Sequence, residues 1–335
     1  MSSIRAPRTM SIGGATYDLF VRTGKNLTCM TQGSCALLLP LGEKIRVEQV
    51  IETCGGGACN TAIGLRRLGC DATIAGVIGS DQWGEKLLET LKKEGVHTDS
   101  LTVVSRETTS FSIILSVESG ERVILYEPGT NAHLHDVTFD RSKAATMDWI
   151  YLNHIHESTE VIEDDLLQIL SEKDHPKLTW NPGGKQIAIG MRGGKHAELL
   201  THTDFLLLNK GEALAFTKTK TVEDALRRLL DAGVHVVCIT DGKNGALSSD
   251  GTSLLHCPIL PGIPVDTTGA GDAFGTGATW ALIQGLPLQT ALIAGTMNSN
   301  SVIGAVGAEA GLLTDKDMAS RLASPPVTVD VLSFP

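Results

Sequence analysis

Short apolar runs recur along this chain, and most are separated by longer segments in which apolar positions return at helical spacing. Residues 10–12, 73–78, 149–152, 178–180, 205–208 and 234–240 read as strands, with too little polar alternation for one face to meet water. Helices are expected between them over 61–68, 82–94 and 221–232. Gly69, Gly95 and Gly233 stop the three helices, and Thr221 opens the last with a Thr-x-x-Asp cap. Strands alternating with amphipathic helices predict the α/β class, a mostly parallel sheet covered on both faces.

Two stretches break the rhythm. Residues 44–52 alternate apolar and polar side chains, and 108–127 read as a hairpin. In that hairpin Phe111, Ile113, Leu115 and Val117 share a face, 118–121 turn, and Val123 and Leu125 return. Strands without crossover helices do not belong in the parallel sheet, so they form a small one of their own. The expected division is a large domain of 1–19, 53–107 and 128–335, with a small β lid of 20–52 and 108–127. The lid is placed to close over a site or to pair with a second subunit as a homodimer. Residues 323–335, with Pro325 and Pro326, read as a tail laid on the surface.

Composition narrows the partners. A chain of 335 residues with 42% hydrophobic and 20% charged residues buries a large core. A formal net charge of -10 speaks against nucleic acid, whose phosphates need clustered Lys and Arg. The seven cysteines, at 29, 35, 54, 59, 70, 238 and 257, include no Cys-x-x-Cys pair and fit reduced thiols in the cytoplasm. The apolar run at 36–40 is too short to cross a membrane, and the arginines at 5 and 8 lead into no signal-peptide core.

The most informative chemistry lies in Asp266-Thr-Thr-Gly-Ala-Gly-Asp-Ala-Phe274. Gly269 and Gly271 permit a tight turn, and the residues that follow recur at helical spacing as far as Gly285. The N–H groups of Ala270, Gly271 and Asp272 then point out of a helix start, where an anion belongs. Asp272 stands beside that pocket, placed to take a proton from a hydroxyl attacking a terminal phosphate. The bland alternative is an aspartate that only caps its helix. No Gly-Lys pair has the frame of a Walker loop, and Phe274 stands where a dinucleotide fingerprint needs glycine, which sets aside a nicotinamide dehydrogenase.

Other segments join it. Cys54-Gly-Gly-Gly-Ala-Cys-Asn60 opens onto a helix, with bare backbone and an amide suited to hydroxyl groups, or is simply a flexible turn. Asp18 follows the first strand, where open parallel sheets place their ligands. After the strand ending at Leu152, Asn153 or His154 is expected to meet substrate, the alternative being a merely solvated loop, and Asn181 to Lys185 to line the same crevice. In His154-Ile-His156-Glu157 the two histidines alternate as metal ligands would, without a third ligand of proper spacing.

Taken in order, Gly55 to Asn60, Asn209-Lys-Gly-Glu212, Thr240 to Gly245 and Asp266 to Phe274 resemble the motifs of the ribokinase family of PfkB-type carbohydrate and nucleoside kinases. The resemblance spans nearly the whole chain and implies a ribokinase-like three-layer fold with a small β-sheet lid. It implies an ATP-dependent phosphotransferase, a sugar kinase before a nucleoside kinase, with a non-catalytic sugar or nucleotide binder as the other reading. Asp272 matches the base, and Gly269, Ala270 and Gly271 the anion hole. Asp18, Gly56 and Asn60 match the acceptor side, and Thr16, Gly57 and Asn153 are expected to line it. Asn209, Thr240, Gly242, Gly245, Gly271 and Asn298 match the nucleotide side, with Asn298 toward the adenine. Glu212 matches a residue that positions Mg2+ through water. Asp266 and Thr268 match a monovalent-cation site, for K+, completed by carbonyls of 305–311. Gly57 and Thr16-Tyr17 depart from the residues of ribokinases proper, so the resemblance implies the family and not ribose itself.

Overall fold

The computed structural model describes residues 5–23, 27–31, 34–117, 122–135, 140–155 and 160–333. In chain order its strands are β1 (Arg8–Ile12), β2 (Thr16–Arg22), β3 (Thr28–Thr31), β4 (Ser34–Leu37), β5 (Gln49–Gly55), β6 (Asp71–Gly79), β7 (His97–Val104) and β8 (Phe111–Ser116). They continue as β9 (Arg122–Glu127), β10 (Trp149–Leu152), β11 (Lys177–Trp180), β12 (Phe205–Asn209), β13 (Val236–Thr240), β14 (Ala246–Ser249), β15 (Leu254–Cys257) and β16 (Asp330–Leu332). Ten of them form one sheet in the order β16-β15-β14-β13-β12-β11-β10-β1-β6-β7. From β13 to β7 every pairing is parallel, and β14 to β16 add an antiparallel margin.

Alternation along the central strands explains the three layers. Leu206 and Leu208 of β12, with Val237 and Ile239 of β13, join a core that includes Leu166, Leu199, Phe216, Leu226 and Leu229 from helices on one face. Phe205, Leu207 and Cys238, one position out of phase, pack with Phe274, Ala278 and Leu292 from helices on the other. Both phases are apolar because both faces are covered, and each fully buried Leu contributes about 1.5–3 kcal/mol relative to exposure.

The tail does not simply lie on the surface. Asp330–Leu332 is the edge strand of the large sheet, with Leu332 opposite Leu254, and Val327 and Val329 pack on the core. The hairpins β14–β15 and β3–β4 also went unread, being four-residue strands too short to show a period.

The second sheet has the order β5-β2-β8-β9. The β8–β9 pairing joins the two arms of the expected hairpin, whose turn at 118–121 lies outside the described residues. β5 runs from Gln49 to Gly55, so the alternation at 44–47 is not strand, and β2 begins at Thr16. β2 pairs antiparallel with β5 but parallel with β8, the chain between them crossing through the large layer. Register puts three rows on one face: Thr53, Asp18, Ser112 and Tyr126; Ile51, Phe20, Ile114 and Ile124; Gln49, Arg22, Ser116 and Arg122. With Pro264, Val265, Asp266 and Val306 the lower two rows, Ile124 excepted, line a cavity of about 310 Å³. On the opposite face Tyr17 stacks on Trp83, with ring centroids 5.2 Å apart, and ties this sheet to the helix Gln82–Lys93.

Candidate active site

The loop before the helix Ala270–Ile283 is held by one carboxylate. Asp266 Oδ1 accepts the Thr268 N–H at 3.0 Å and its hydroxyl at 2.8 Å, while Oδ2 accepts the Gly307 N–H at 3.0 Å. Gly269 is the N-cap with φ of 74°, a left-handed conformation that glycine adopts without strain. Its carbonyl accepts the Ala273 N–H at 2.9 Å, beginning the helical ladder. Ala270 differs from expectation, because its N–H bends back to the Thr267 carbonyl at 3.4 Å. The N–H groups of Gly271 and Asp272 remain first-turn donors directed out of the helix. Small residues let this helix pass close to its neighbour, since a Cβ on Gly277 would stand 2.6 Å from the Ala294 carbonyl oxygen.

Asp272 lies in that first turn, where it accepts a hydrogen bond from Asn60 Nδ2 at 2.7 Å. Burial raises its carboxyl above the ordinary aspartate range, and the Asn60 bond offsets part of the shift. Asn60 comes from the helix Gly57–Arg67, whose N-cap Gly56 has φ of 84° and packs backbone on backbone against Gly14. Among the described residues the buried Asn60 Oδ1 and Asn153 Oδ1 have no partner, and a Cβ on Gly57 would meet the latter at 2.9 Å. Two orphaned amide oxygens beside bare glycine suit hydroxyl donors. Asp18 is buried on the neighbouring strand and its pKa is raised to about 6, chiefly by burial; Ser112 lowers it and the charge of Asp266 raises it. The Thr16 hydroxyl is within 3.1 Å of Ser110 Oγ and accepts from Asn131 Nδ2 at 3.2 Å, so it shapes the loop.

In front of the helix start lies a crevice of about 290 Å³ lined by His154, Asn181, Asn209, Glu212, Thr240 and Gly269 to Asp272, among others. Thr240, Thr267, Ala270 and Gly271 also line a cavity of about 430 Å³, so the two spaces are continuous. Gly242, Gly245, Ile259, Leu260 and Phe274 wall the larger one, which has the size and apolar lining for a nucleoside. Asn298 does not reach it. Its side chain is fully buried, donating to the Ala273 carbonyl at 2.8 Å and accepting the Leu313 N–H at 3.0 Å, a strut between helices. Thr296, Ser299 and Asn300 face the cavity instead. His156 and Glu157 lie outside the described residues.

Two sites were expected to hold cations. Asn209 and Glu212 form a capping box, with Glu212 Oε2 accepting the Asn209 N–H at 2.9 Å. Burial raises the Glu212 carboxyl, the Asn209 bonds lower it, and the charge of Asp272 across the crevice raises it again. Two carboxylates in one phosphate-sized space fit a hydrated Mg2+ that also meets phosphate oxygens. Among the described residues no cluster of three metal-ligating side chains exists. The Asp266 carboxylate leaves no open acceptor position for a monovalent cation. Besides Thr268 and Gly307 it accepts from Arg122 Nη1 at 3.3 Å, so four donors face a carboxylate with about four acceptor positions.

Arg122 was not foreseen, because it reaches Asp266 across 144 positions of the chain. Glu309 was also missed. It is buried near Cys54 with Oε1 unpartnered among the described residues, and burial pushes its pKa up to about 8. Cys54 and Cys59 are buried, and burial raises both thiols, so packing is their role here.

Known proteins give the same picture. A family model described as pfkB family carbohydrate kinase matches residues 14–315. The ribokinase of Bacillus subtilis is 27% identical over 317 residues, covering 93% of this chain and 98% of that protein. The structure of an Arabidopsis thaliana ribokinase complexed with ribose and ATP superimposes with a TM-score of 0.79 at 23% identity, over 95% of this chain and 99% of that one. A nucleoside kinase of Methanocaldococcus jannaschii, described as an archaeal member of the ribokinase family, superimposes with a TM-score of 0.76 at 19% identity, over 95% and 99%.

Proposed function

Since the chain belongs to the pfkB family of carbohydrate kinases, we propose that its half-buried Asp272 deprotonates a hydroxyl of a sugar as that oxygen attacks the terminal phosphate of ATP. The protein is a kinase with an alcohol acceptor and a ribokinase-like fold, a large mostly parallel sheet beside a small one. The observation that carries the catalytic assignment is the place of Asp272. It shares the crevice with Gly269, Ala270 and Gly271, and Asn60 holds its carboxylate.

ATP fits with its base in the larger cavity, beside Thr240, Gly242 and Gly245, and its phosphates in front of Gly271 and Asn209. The first-turn dipoles meet charge that grows in the transition state, in line with a base that is already fixed. Glu212 would hold Mg2+ through water, and the ion would supply charge neutralisation on the phosphate oxygens. The acceptor lies toward Asp18, Gly56, Gly57, Asn60 and Asn153, under the small sheet acting as a lid. A nucleoside acceptor is the second reading, favoured by one feature: Phe20, Ile51, Ile114 and Val306 make an apolar wall next to Asp18's row. An acceptor panel of D-ribose, D-fructose, sugar acids, inosine and cytidine with coupled ADP detection tests both. A sugar should release ADP; release by nucleosides alone would select the second reading, and release by none would reject kinase activity.

The exposed side chains of Val123, Ile124 and Leu125 on the outer strand β9 support a homodimer through the lid. Light scattering showing only monomer would reject it. The buried free thiols of Cys54, Cys59, Cys70, Cys238 and Cys257 and the lack, among the described residues, of a helix fit to cross a membrane accord with a cytoplasmic setting.

A further inference from the structure

We infer that the Arg122 guanidinium takes the place of a monovalent cation at Asp266, so that seating of the small sheet, rather than bound potassium, fixes the phosphate cradle. Register starts the argument. Arg122 lies opposite Ser116, which lies opposite Arg22 on β2, so it shares a face with Asp18 and Phe20 and points at the loop before the cradle. Its Nη1 donates to Asp266 Oδ1 at 3.3 Å and to Thr267 Oγ1 at 3.0 Å. Asp266 is only 9% exposed and its carboxylate ties that loop to Gly307, so one positive charge is needed beside it.

Arginine supplies that charge permanently, since the guanidinium does not deprotonate in proteins. The other arginine of the row, Arg22, lies 3.6 Å from Glu48 and is engaged away from Asp266. The second contact connects the pair to chemistry. Thr267 lines both the nucleotide cavity and the phosphate crevice, and Gly269 follows it by two residues. Arg122 touches neither the acceptor nor the reacting phosphate, so it is a positioning residue that ties the sheet over the acceptor to the loop beneath the phosphates. This role rests on the proposed kinase site for its effect on turnover, but not for its effect on cation binding.

The test compares potassium chloride with tetramethylammonium chloride at equal ionic strength, on wild type and Arg122→Ala. Wild-type melting temperature and ADP release, with the acceptor the panel identifies, should be the same in both salts. Arg122→Ala should lose about tenfold or more of its turnover in tetramethylammonium. Potassium or guanidinium ion should restore most of it, and potassium should raise the melting temperature of this variant alone. Loss that neither ion rescues would mark Arg122 as merely structural and overturn the inference. So would a wild type that potassium stabilises or activates, or an Arg122→Ala whose melting temperature does not respond to potassium. Should the variant fail to fold, wild-type crystals soaked in rubidium chloride decide: an anomalous peak beside Asp266 overturns the inference, and its absence supports it. Wild type that releases no ADP with any acceptor in either salt would instead reject the kinase reading, leaving the melting comparison to judge Arg122.

Discussion

Gly269 and Gly271 stand two residues apart in the same turn, yet adding a methyl group to each should have opposite consequences. At Gly269 the backbone is left-handed, with φ of 74°, and a Cβ would lie 2.4 Å from the Ala308 Cβ. The conformational penalty is about 1–2 kcal/mol, and the forced overlap adds about 1–3 kcal/mol. Gly269→Ala should therefore lose roughly 2–5 kcal/mol and melt several degrees lower. At Gly271 no atom lies within 4 Å of the added Cβ, and the residue is inside the helix. Alanine there favours the helix by up to about 1 kcal/mol, so Gly271→Ala should melt at or above the wild-type temperature. Its methyl group, however, projects into the space shared by the crevice and the nucleotide cavity. Displacing a phosphate by about 1 Å costs on the order of 100-fold in turnover. Circular-dichroism melting and coupled ADP release separate the two effects. Gly271→Ala with wild-type turnover would refute the placement of the phosphates, and Gly269→Ala with wild-type stability would refute the strain argument.

Asn60→Ala removes the hydrogen bond that holds down the Asp272 pKa, so the acid limb of kcat/KM should move to higher pH. An unmoved limb would show that Asp272 does not set it. Glu309 has a folded pKa of about 8 against an ordinary 4.5, so the stability it contributes is full below 4.5 and is lost as pH rises through 8. Glu309→Gln should gain a few kcal/mol over wild type at pH 9, on the order expected for a shift of that size, and little at pH 4. Urea denaturation at the two pH values measures this, and equal gains at both would remove the titration argument.

How much of this was legible before folding depends on the range of the interactions. The central strands and the helices opened by Thr221 and closed by Gly69 were readable because period and caps are local properties. The turn from Asp266 to Phe274 was readable for the same reason: glycine spacing and a following helix fix where Asp272 stands. Asn298 misled because position on a helix says nothing about which neighbour takes its amide. The structure gives both amide ends to Ala273 and Leu313. Arg122 was hidden for a related reason, since its partner is decided by strand register in a sheet whose strands come from distant parts of the chain. The edge strand at Asp330–Leu332 looked like a tail because its pairing, not its short sequence, makes it strand.

The central claim is that Asp272 removes the acceptor's proton, and replacing its carboxylate while keeping its shape tests that claim most directly. Asp272→Asn should bind ATP with near-wild-type affinity by calorimetry, while its single-turnover phosphoryl transfer falls by about 10²–10⁴-fold, the usual worth of a general base. Transfer within a few fold of wild type, with binding unchanged, would contradict it.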